Sequence, residues 1–171
     1  EGKHVAPRSD QIAKPETASG WNLALAQSNQ LLDQRYGVLS RRQVNHVPIL
    51  VDKAMWAQTL ANFPDTLEST VRSRFRTPGN FAPEYLYLRS MLAEGKARLA
   101  SPQQTGESSG YVPLENFWPV TAWRLWQVRS RQPKWVTLND NFGKKPSRIA
   151  EAMMRRQLQS WLPAPSDFER E

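Results

Sequence analysis

Apolar residues recur at helical spacing along most of this 171-residue chain, and only a few short segments have the pattern of β-strands. Helices are predicted where that spacing coincides with an N-cap residue, a glycine stop or a proline in the first turn. The predicted helices cover residues 21–36, 53–63, 64–71, 81–94, 119–130 and 147–161. Short strands are predicted at 111–114 and 135–138, and an extended segment or rigid loop at 44–51. The predicted fold class is therefore α/β, predominantly helical with a few short strands.

Segments outside these elements are assigned from their composition. Residues 1–20 are polar and carry Pro7 and Pro15, so they are predicted to form a linker or loop ahead of a domain at 21–171. Residues 101–110 consist largely of Gln, Ser, Thr and Gly and are predicted to be a mobile loop. Two or three short strands do not make a stable, covered sheet alone, so we expect further strands outside this chain.

Charge and composition narrow the classes of function. Lys and Arg number 23 and Asp and Glu 16, and the net charge of +7 favours an anionic partner such as a nucleotide, a polynucleotide or an acidic lipid. The absence of cysteine excludes disulfides, thiolate zinc sites and a cysteine nucleophile. No glycine-rich phosphate loop, histidine-rich metal helix or nucleophile elbow is present, which argues against a self-contained hydrolase.

Tryptophans form a second distinctive group. They could stack on sugars or bases, but their spacing favours burial in the core for most of them. The four concerned are Trp118, Trp123, Trp126 and Trp135.

His46 is the first candidate for chemistry, because only two histidines are present and it lies just before Val47-Pro48. Pro48 restricts the backbone and favours an extended conformation in Val47, which would hold the imidazole of the adjacent His46 in one direction. A rigidly placed imidazole suits a general base. Taken locally, a buried histidine satisfied by a carbonyl is the more common arrangement.

Arginines alternate with other residues at 72, 74 and 76. In an extended segment Arg72, Arg74 and Arg76 would share one face and present forked donors to phosphate oxygens. The alternative is a solvated loop in which they pair with nearby acidic residues. Those residues are Asp65, Glu68 and Glu84.

Amide and carboxylate groups cluster directly after the predicted strand 135–138. Asn139, Asp140 and Asn141 would emerge at the carboxyl end of that strand, where sites on parallel sheets commonly lie. Their oxygens suit Mg²⁺ or Mn²⁺, and their amides suit a sugar or phosphate. The alternative is a plain turn, since Asn, Asp and Gly are the usual turn residues.

Several of these motifs follow one another in an order that resembles a known family. In chain order they are His46-Val47-Pro48, Asn62-Phe63-Pro64-Asp65, Ser73-Arg74-Phe75-Arg76, Tyr85-Leu86-Tyr87, Trp135-Val136-Thr137-Leu138-Asn139-Asp140-Asn141-Phe142 and Leu162-Pro163-Ala164-Pro165-Ser166-Asp167-Phe168-Glu169. This order resembles the Stealth family, the sugar-phosphate transferases of bacterial capsule synthesis related to the animal lysosomal-enzyme N-acetylglucosamine-1-phosphotransferase. The resemblance runs from about residue 21 to 169.

The resemblance implies transfer of a hexose-1-phosphate from a UDP-sugar donor to a saccharide acceptor. It implies His46, Arg76 and Asn139 as catalytic residues, with Arg74, Asp140 and Asn141 binding substrate. A divalent cation, Mg²⁺ or Mn²⁺, is expected with its main ligand outside this chain. The implied place is the cytoplasm or the inner face of the cell membrane, with peripheral association and no transmembrane segment.

The N-terminal motifs of that family, an Asp-Ile-Val-Tyr-Thr-Trp-Val-Asp-Gly stretch and an Asn-Asp-Asp motif, do not occur in this sequence. The resemblance therefore implies the C-terminal half of a nucleotide-sugar-transferase-like α/β domain, with the N-terminal half of the same enzyme as a partner. Two alternatives stay open. One is a basic nucleic-acid-binding module, suggested by the net charge and the interleaved Arg and Trp. The other is a fragment that is not catalytic without its N-terminal half.

Overall fold

The computed structural model describes residues 4–12, 14, 17–164 and 166, so the closing motif around Phe168 lies mostly outside the described residues. The chain divides into two compact units. The first unit comprises Glu1–Asn45 and Ile49–Ala100, and the second comprises His46–Pro48 and Ser101–Glu171. The predicted boundary between a linker at 1–20 and a domain at 21–171 stays a prediction.

Among its described residues the first unit contains four α-helices, each beginning near its predicted start, and a short 3₁₀ helix at Ser9–Gln11. The α-helices are α1 (Gly20–Tyr36), α2 (Lys53–Ala61), α3 (Pro64–Arg72) and α4 (Pro83–Ala93). The side chains of Ser19 and Asp52 accept hydrogen bonds from backbone N–H groups at the starts of α1 and α2, as the cap pattern predicts. Proline occupies the first turn of α3 and α4, where its missing N–H costs no helical hydrogen bond.

The core of the first unit lies between α1 and α4. Its fully buried side chains include Leu25, Leu32, Tyr85 and Leu86. Burial raises the pKa of the Tyr85 hydroxyl above its ordinary value, so this group enters the core as a neutral donor that needs a hydrogen-bond acceptor.

Asn29 supplies that acceptor and ties the N-terminal segment to α1. Its Oδ1 accepts a hydrogen bond from the Tyr85 hydroxyl at 2.9 Å, and its Nδ2 donates to the carbonyls of Ala6 and Pro7 at 3.3 and 2.9 Å. Ala6 itself is 1% exposed. The described residues around Ala6 and Pro7 are thus packed against α1.

The described part of the second unit contains two strands, and they pair in parallel. Its elements are α5 (Pro102–Ser108), β1 (Ser109–Leu114), α6 (Trp118–Arg131), β2 (Trp135–Asp140) and α7 (Arg148–Trp161). Ser109 lies opposite Trp135 and Leu114 opposite Asp140, and α6 is the crossover that a parallel pair requires. The predicted fold class, mixed α/β with more helix than strand, is confirmed.

The prediction of a mobile loop at 101–110 is wrong. This segment forms α5 and the beginning of β1. The side chain of Ser101 accepts from the backbone N–H of Gln104, and the side chain of Gln104 accepts from the N–H of Ser101, with Pro102 in the first turn. This capping box outweighs a composition that is poor for a helix.

One face of the sheet forms the core of the second unit with α6 and α7. The buried members are Val112, Leu114, Leu125, Val128, Phe142 and Ala150. Gly110 permits α6 to approach closely, because a Cβ at this position would lie 2.9 Å from the side chain of Val128. Larger residues at 110 would push the helix off the strand.

The prediction that most of the tryptophans are core residues is wrong for the four named above. Trp118, Trp123, Trp126 and Trp135 are 43, 49, 62 and 54% exposed. The helix α6 instead buries the row Thr121, Leu125 and Val128, whose spacing of four and three residues is also helical. Trp123 and Trp126 share a helical face, but it is the outward one.

Asn29→Ala is expected to lower the free energy of unfolding by about 2 kcal/mol, because it leaves the buried Tyr85 hydroxyl without its acceptor. Urea denaturation followed by circular dichroism measures the change. Asn22→Ala, an exposed asparagine on the same helix, is the matched control and should change stability by less than about 0.5 kcal/mol. Equal losses in the two variants would contradict the role given to Asn29.

Candidate functional site

His46 lies against the sheet of the second unit and is held there by two contacts. Its ring stacks on the ring of Tyr111, with centroids 5.1 Å apart and planes inclined by 17°. The Thr137 hydroxyl donates a hydrogen bond to the His46 carbonyl at 2.7 Å. Tyr111 and Thr137 are opposite each other in the β1–β2 register, so one cross-strand pair fixes both the ring and the backbone of His46.

The alternative of a buried histidine is wrong, because His46 is exposed. Its backbone carbonyl, and not its imidazole, carries the hydrogen bond to Thr137. The ring is therefore held by stacking while it stays open to solvent. Such an arrangement leaves the ring nitrogens of His46 accessible to a substrate.

Tyr111 is a neutral stacking surface for this imidazole. Burial raises the pKa of the Tyr111 hydroxyl above its ordinary value, and the negative charge of Glu115 raises it further. Both effects disfavour the phenolate. The ring beneath His46 consequently stays uncharged through the neutral range.

Asn139 shares a sheet face with the residues that hold His46. Side chains alternate along a strand, and Asn139 lies two residues beyond Thr137 at the carboxyl end of β2. The other face packs on α6 and α7, as the contact of position 110 with Val128 shows. His46 and Asn139 are therefore brought to the same face of the two-stranded sheet.

A network of side-chain hydrogen bonds orders the loop after β2. The Asn139 Nδ2 donates to Asn141 Oδ1 at 2.6 Å, and Asp140 Oδ1 accepts from the backbone N–H of Phe142 at 2.9 Å. Gly143 follows with φ +67°, a conformation that favours glycine. Asp140 thus acts as a turn residue, as the alternative interpretation of this cluster predicts.

Asn116, which the sequence did not single out, holds the far side of this loop. Its Nδ2 donates to the carbonyl of Phe142 at 2.9 Å, and its Oδ1 accepts from the N–H of Ser147 at 2.7 Å. Ser147 caps α7. The loop is therefore fixed between the end of β2 and the start of α7, which limits the positions open to Asn139 and Asn141.

Arg74 and Arg76 lie in the first unit, on the loop that joins α3 to α4. The guanidinium of Arg76 stacks over the ring of Trp21, 4.9 Å from its centroid. Within the described part of the chain Arg76 makes no hydrogen bond or ion pair, so the N–H groups in the guanidinium plane stay available for an anion. Arg74 lies over the ring of Phe75 at 5.4 Å.

The predicted extended face of three arginines is wrong. Arg72 is the last residue of α3 and pairs with Glu68 at 2.7 Å, one helical turn earlier. The helix ends only at Ser73, so Arg72 does not alternate with the two arginines of the loop. Within the described residues, the alternative pairing with a nearby acid is confirmed for Arg72, whose partner is Glu68.

Buried Asn80 organises the arginine loop. Its Oδ1 accepts hydrogen bonds from the N–H and the hydroxyl of Thr77, at 2.7 and 3.1 Å, and its Nδ2 donates to the Ser73 hydroxyl at 3.2 Å. Sequence reasoning did not select this residue, although the Pro78-Gly79 turn before it was a usable signal. Asn80 closes the loop that carries Arg74 and Arg76.

Metal-binding side chains are sparse in the structure. Within residues 4–12, 14, 17–164 and 166, no group of three or more His, Asp or Glu side chains is placed to hold a metal ion. The candidate face offers the amide oxygens of Asn139 and Asn141, whereas alternation along β2 turns the Asp140 carboxylate to the other face. A divalent ion bound here would need most of its ligands from phosphates, water or residues elsewhere.

Comparison with known proteins gives a distant relative. The chain is 27% identical over 165 residues to an exopolysaccharide phosphotransferase of Streptomyces coelicolor. The aligned region covers 95% of this chain and 29% of the relative, so the chain spans less than a third of that protein's length. No family model matches the chain. Among the described residues, no helix is long and apolar enough to cross a membrane.

Thr137→Val is expected to release the backbone of His46 and weaken its stacking on Tyr111. With only two histidines in the chain, ring protons of His46 and His4 are resolvable by NMR. The His46 signals should be displaced by the Tyr111 ring in the native protein and should move toward those of His4 in the variant. Thr105→Val, which removes a hydroxyl bonded to the Ser101 carbonyl, is the control. Unchanged His46 signals in Thr137→Val would contradict the anchoring.

Proposed function

We propose that this chain is the C-terminal part of a Stealth-type hexose-1-phosphate transferase. The reaction moves a hexose-1-phosphate, such as N-acetylglucosamine-1-phosphate, from a UDP-sugar to a sugar hydroxyl of a capsular polysaccharide or exopolysaccharide, with release of UMP. The presence of His46 and Asn139 on one sheet face carries the proposal. The similarity to an exopolysaccharide phosphotransferase along 95% of the chain supports it.

His46 acts on the acceptor oxygen or on the charge that develops at phosphorus. The acceptor oxygen attacks the phosphorus that bears the sugar, and its proton must leave during the reaction. A neutral imidazole accepts that proton, and a protonated imidazole offsets the phosphate charge. The His46 ring is held by stacking on Tyr111. The exposed ring can therefore take either role without first breaking a hydrogen bond of its own to the described residues.

Arg76 binds the pyrophosphate oxygens of the donor in this proposal, and Arg74 assists it. The guanidinium of Arg76 is held by its face against Trp21 and has its N–H edge free among the described residues. Two N–H groups in one plane match two phosphate oxygens. Preorganisation by the ring lowers the conformational entropy lost when the anion binds.

Asn139 orients the sugar or phosphate of the donor, with Asn141 and Asp140 as neighbouring substrate-binding residues. The 2.6 Å hydrogen bond from Asn139 to Asn141 fixes the direction of the Asn139 amide. A divalent cation, Mg²⁺ or Mn²⁺, belongs to the proposal with its main ligand in the N-terminal half of the enzyme. It would neutralise phosphate charge, while the residues of this chain position the donor and the acceptor.

His46→Ala in the complete enzyme is expected to lower UMP release by about 10²- to 10⁴-fold, the usual contribution of a general acid or base. His4→Ala is the matched control, since it removes the other histidine of the chain. Near-native turnover of His46→Ala would remove His46 from the mechanism. The pH profile of kcat/KM separates the two roles of His46, because a base requires the neutral ring and a charge stabiliser requires the protonated one.

Arg76→Ala is expected to raise KM for the UDP-sugar by about tenfold or more, as expected for the loss of a charged hydrogen bond to phosphate. Arg72→Ala is the control, because Arg72 is committed to Glu68. Equal effects of the two substitutions would mean that Arg76 contributes only general positive charge.

A separate measurement tests the nucleic-acid alternative. Binding of polynucleotides that weakens steeply as salt rises, without binding of UDP-sugar, would support that alternative.

A further inference from the structure

The outward face of α6 is aromatic and is not used by the proposed reaction. Trp123 and Trp126 lie on the side of the helix away from the buried row Thr121, Leu125 and Val128, and are 49 and 62% exposed. Two exposed rings, Phe117 and Trp118, mark the start of the same helix. We call the surface formed by Trp123 and Trp126 the tryptophan face. Exposed aromatic side chains grouped in this way mark binding surfaces more often than single exposed ones do.

Positive charge accompanies the tryptophan face. The sequence of α6 contains three arginines and neither Asp nor Glu, and Lys134 follows the helix. The arginines are Arg124, Arg129 and Arg131. These arginines lie between the middle of α6 and its end, so the positive charge there favours an anionic ligand. The ligand therefore has to combine flat apolar surfaces with negative charge.

Arg124 holds one of the rings in place. Its guanidinium lies 4.6 Å from the centre of the Trp123 ring, and its Nη1 donates to Gln127 Oε1 at 3.3 Å. Because the guanidinium covers one face of the indole, the exposed surface of Trp123 belongs to its other face and its edges. The ring is thus fixed before any ligand arrives, which reduces the entropy lost on binding.

We propose that the tryptophan face binds a glycan chain that carries phosphate groups, as a site separate from the reacting centre. The apolar faces of the sugar rings stack on Trp123 and Trp126, and the phosphates lie near the arginines of α6. The choice of a glycan rests on the proposed function, whose acceptor is a saccharide. A membrane surface fits less well, because an interfacial helix also exposes aliphatic side chains, whereas Leu125 and Val128 of α6 are buried.

The test compares binding of a phosphorylated mannan with binding of unphosphorylated mannan by calorimetry. Trp123→Ala and Trp126→Ala are each expected to weaken binding of the phosphorylated polymer by about tenfold, the scale of a lost stacked ring. Trp126→Phe, which keeps a ring, should retain most of the affinity. Thermal melting followed by circular dichroism checks that each variant is folded.

Trp135→Ala is the matched control, because Trp135 is 54% exposed but lies on the opposite face of the sheet from α6. Equal losses in Trp135→Ala and Trp126→Ala would overturn the proposal, as would native affinity in both α6 alanine variants. Tighter binding to phosphatidylglycerol vesicles or to single-stranded DNA would also overturn it, and so would dissociation of a dimer by the α6 substitutions.

A second measurement separates the proposed transferase activity from the proposed glycan binding at the tryptophan face. It is UMP release by the complete enzyme with a short acceptor. Polymer binding weakened by about tenfold, with retained UMP release, is the expected result for the Trp126→Ala enzyme. Absence of UMP release from the native enzyme would refute the proposed function, whatever the binding data show. Polymer binding that does not depend on α6 would refute this inference while leaving the proposed function intact.

Discussion

The parallel pairing of β1 with β2 is the constraint on which the second unit depends. Its register sends Val112 and Leu138 into the core beneath α6 and α7, and sends Tyr111 and Thr137 to the other face. A slip of one residue would exchange the two sets and bury the polar one. The same hydrogen-bond ladder therefore builds the core and presents the pair of side chains that hold His46.

The residues proposed to bind substrate are positioned by neighbours that have no proposed catalytic role. Trp21 and Asn80 fix the arginine loop of the first unit, by stacking and by three hydrogen bonds respectively. In the second unit, Asn116 fixes the loop after β2. These positions carry no motif of their own. Their roles depend on the contacts they make in the folded chain, such as the hydrogen bonds by which Asn80 and Asn116 join two parts of a loop. These contacts cannot be recognised from the sequence.

Local signals in the sequence were sufficient for most helices, because caps and first-turn prolines act within four residues. They are insufficient at 101–110, where the composition predicts a loop but Ser101 and Gln104 form a capping box that starts a helix. They are also insufficient on α6, since helical spacing identifies a face without saying which face is buried. The candidate residues His46, Arg76 and Asn139 came from a resemblance of motif order, and their catalytic roles stay predictions.

The hydrogen bond from Thr137 to His46 joins residues 91 positions apart. Contacts so distant in sequence close large loops and form late compared with local ones. The strands, α6 and α7 all lie within 101–161, so they can associate before residues 46–48 arrive. His46 is thus attached to the sheet through a contact that closes a longer loop than any contact among those elements, and we expect that contact to form after them.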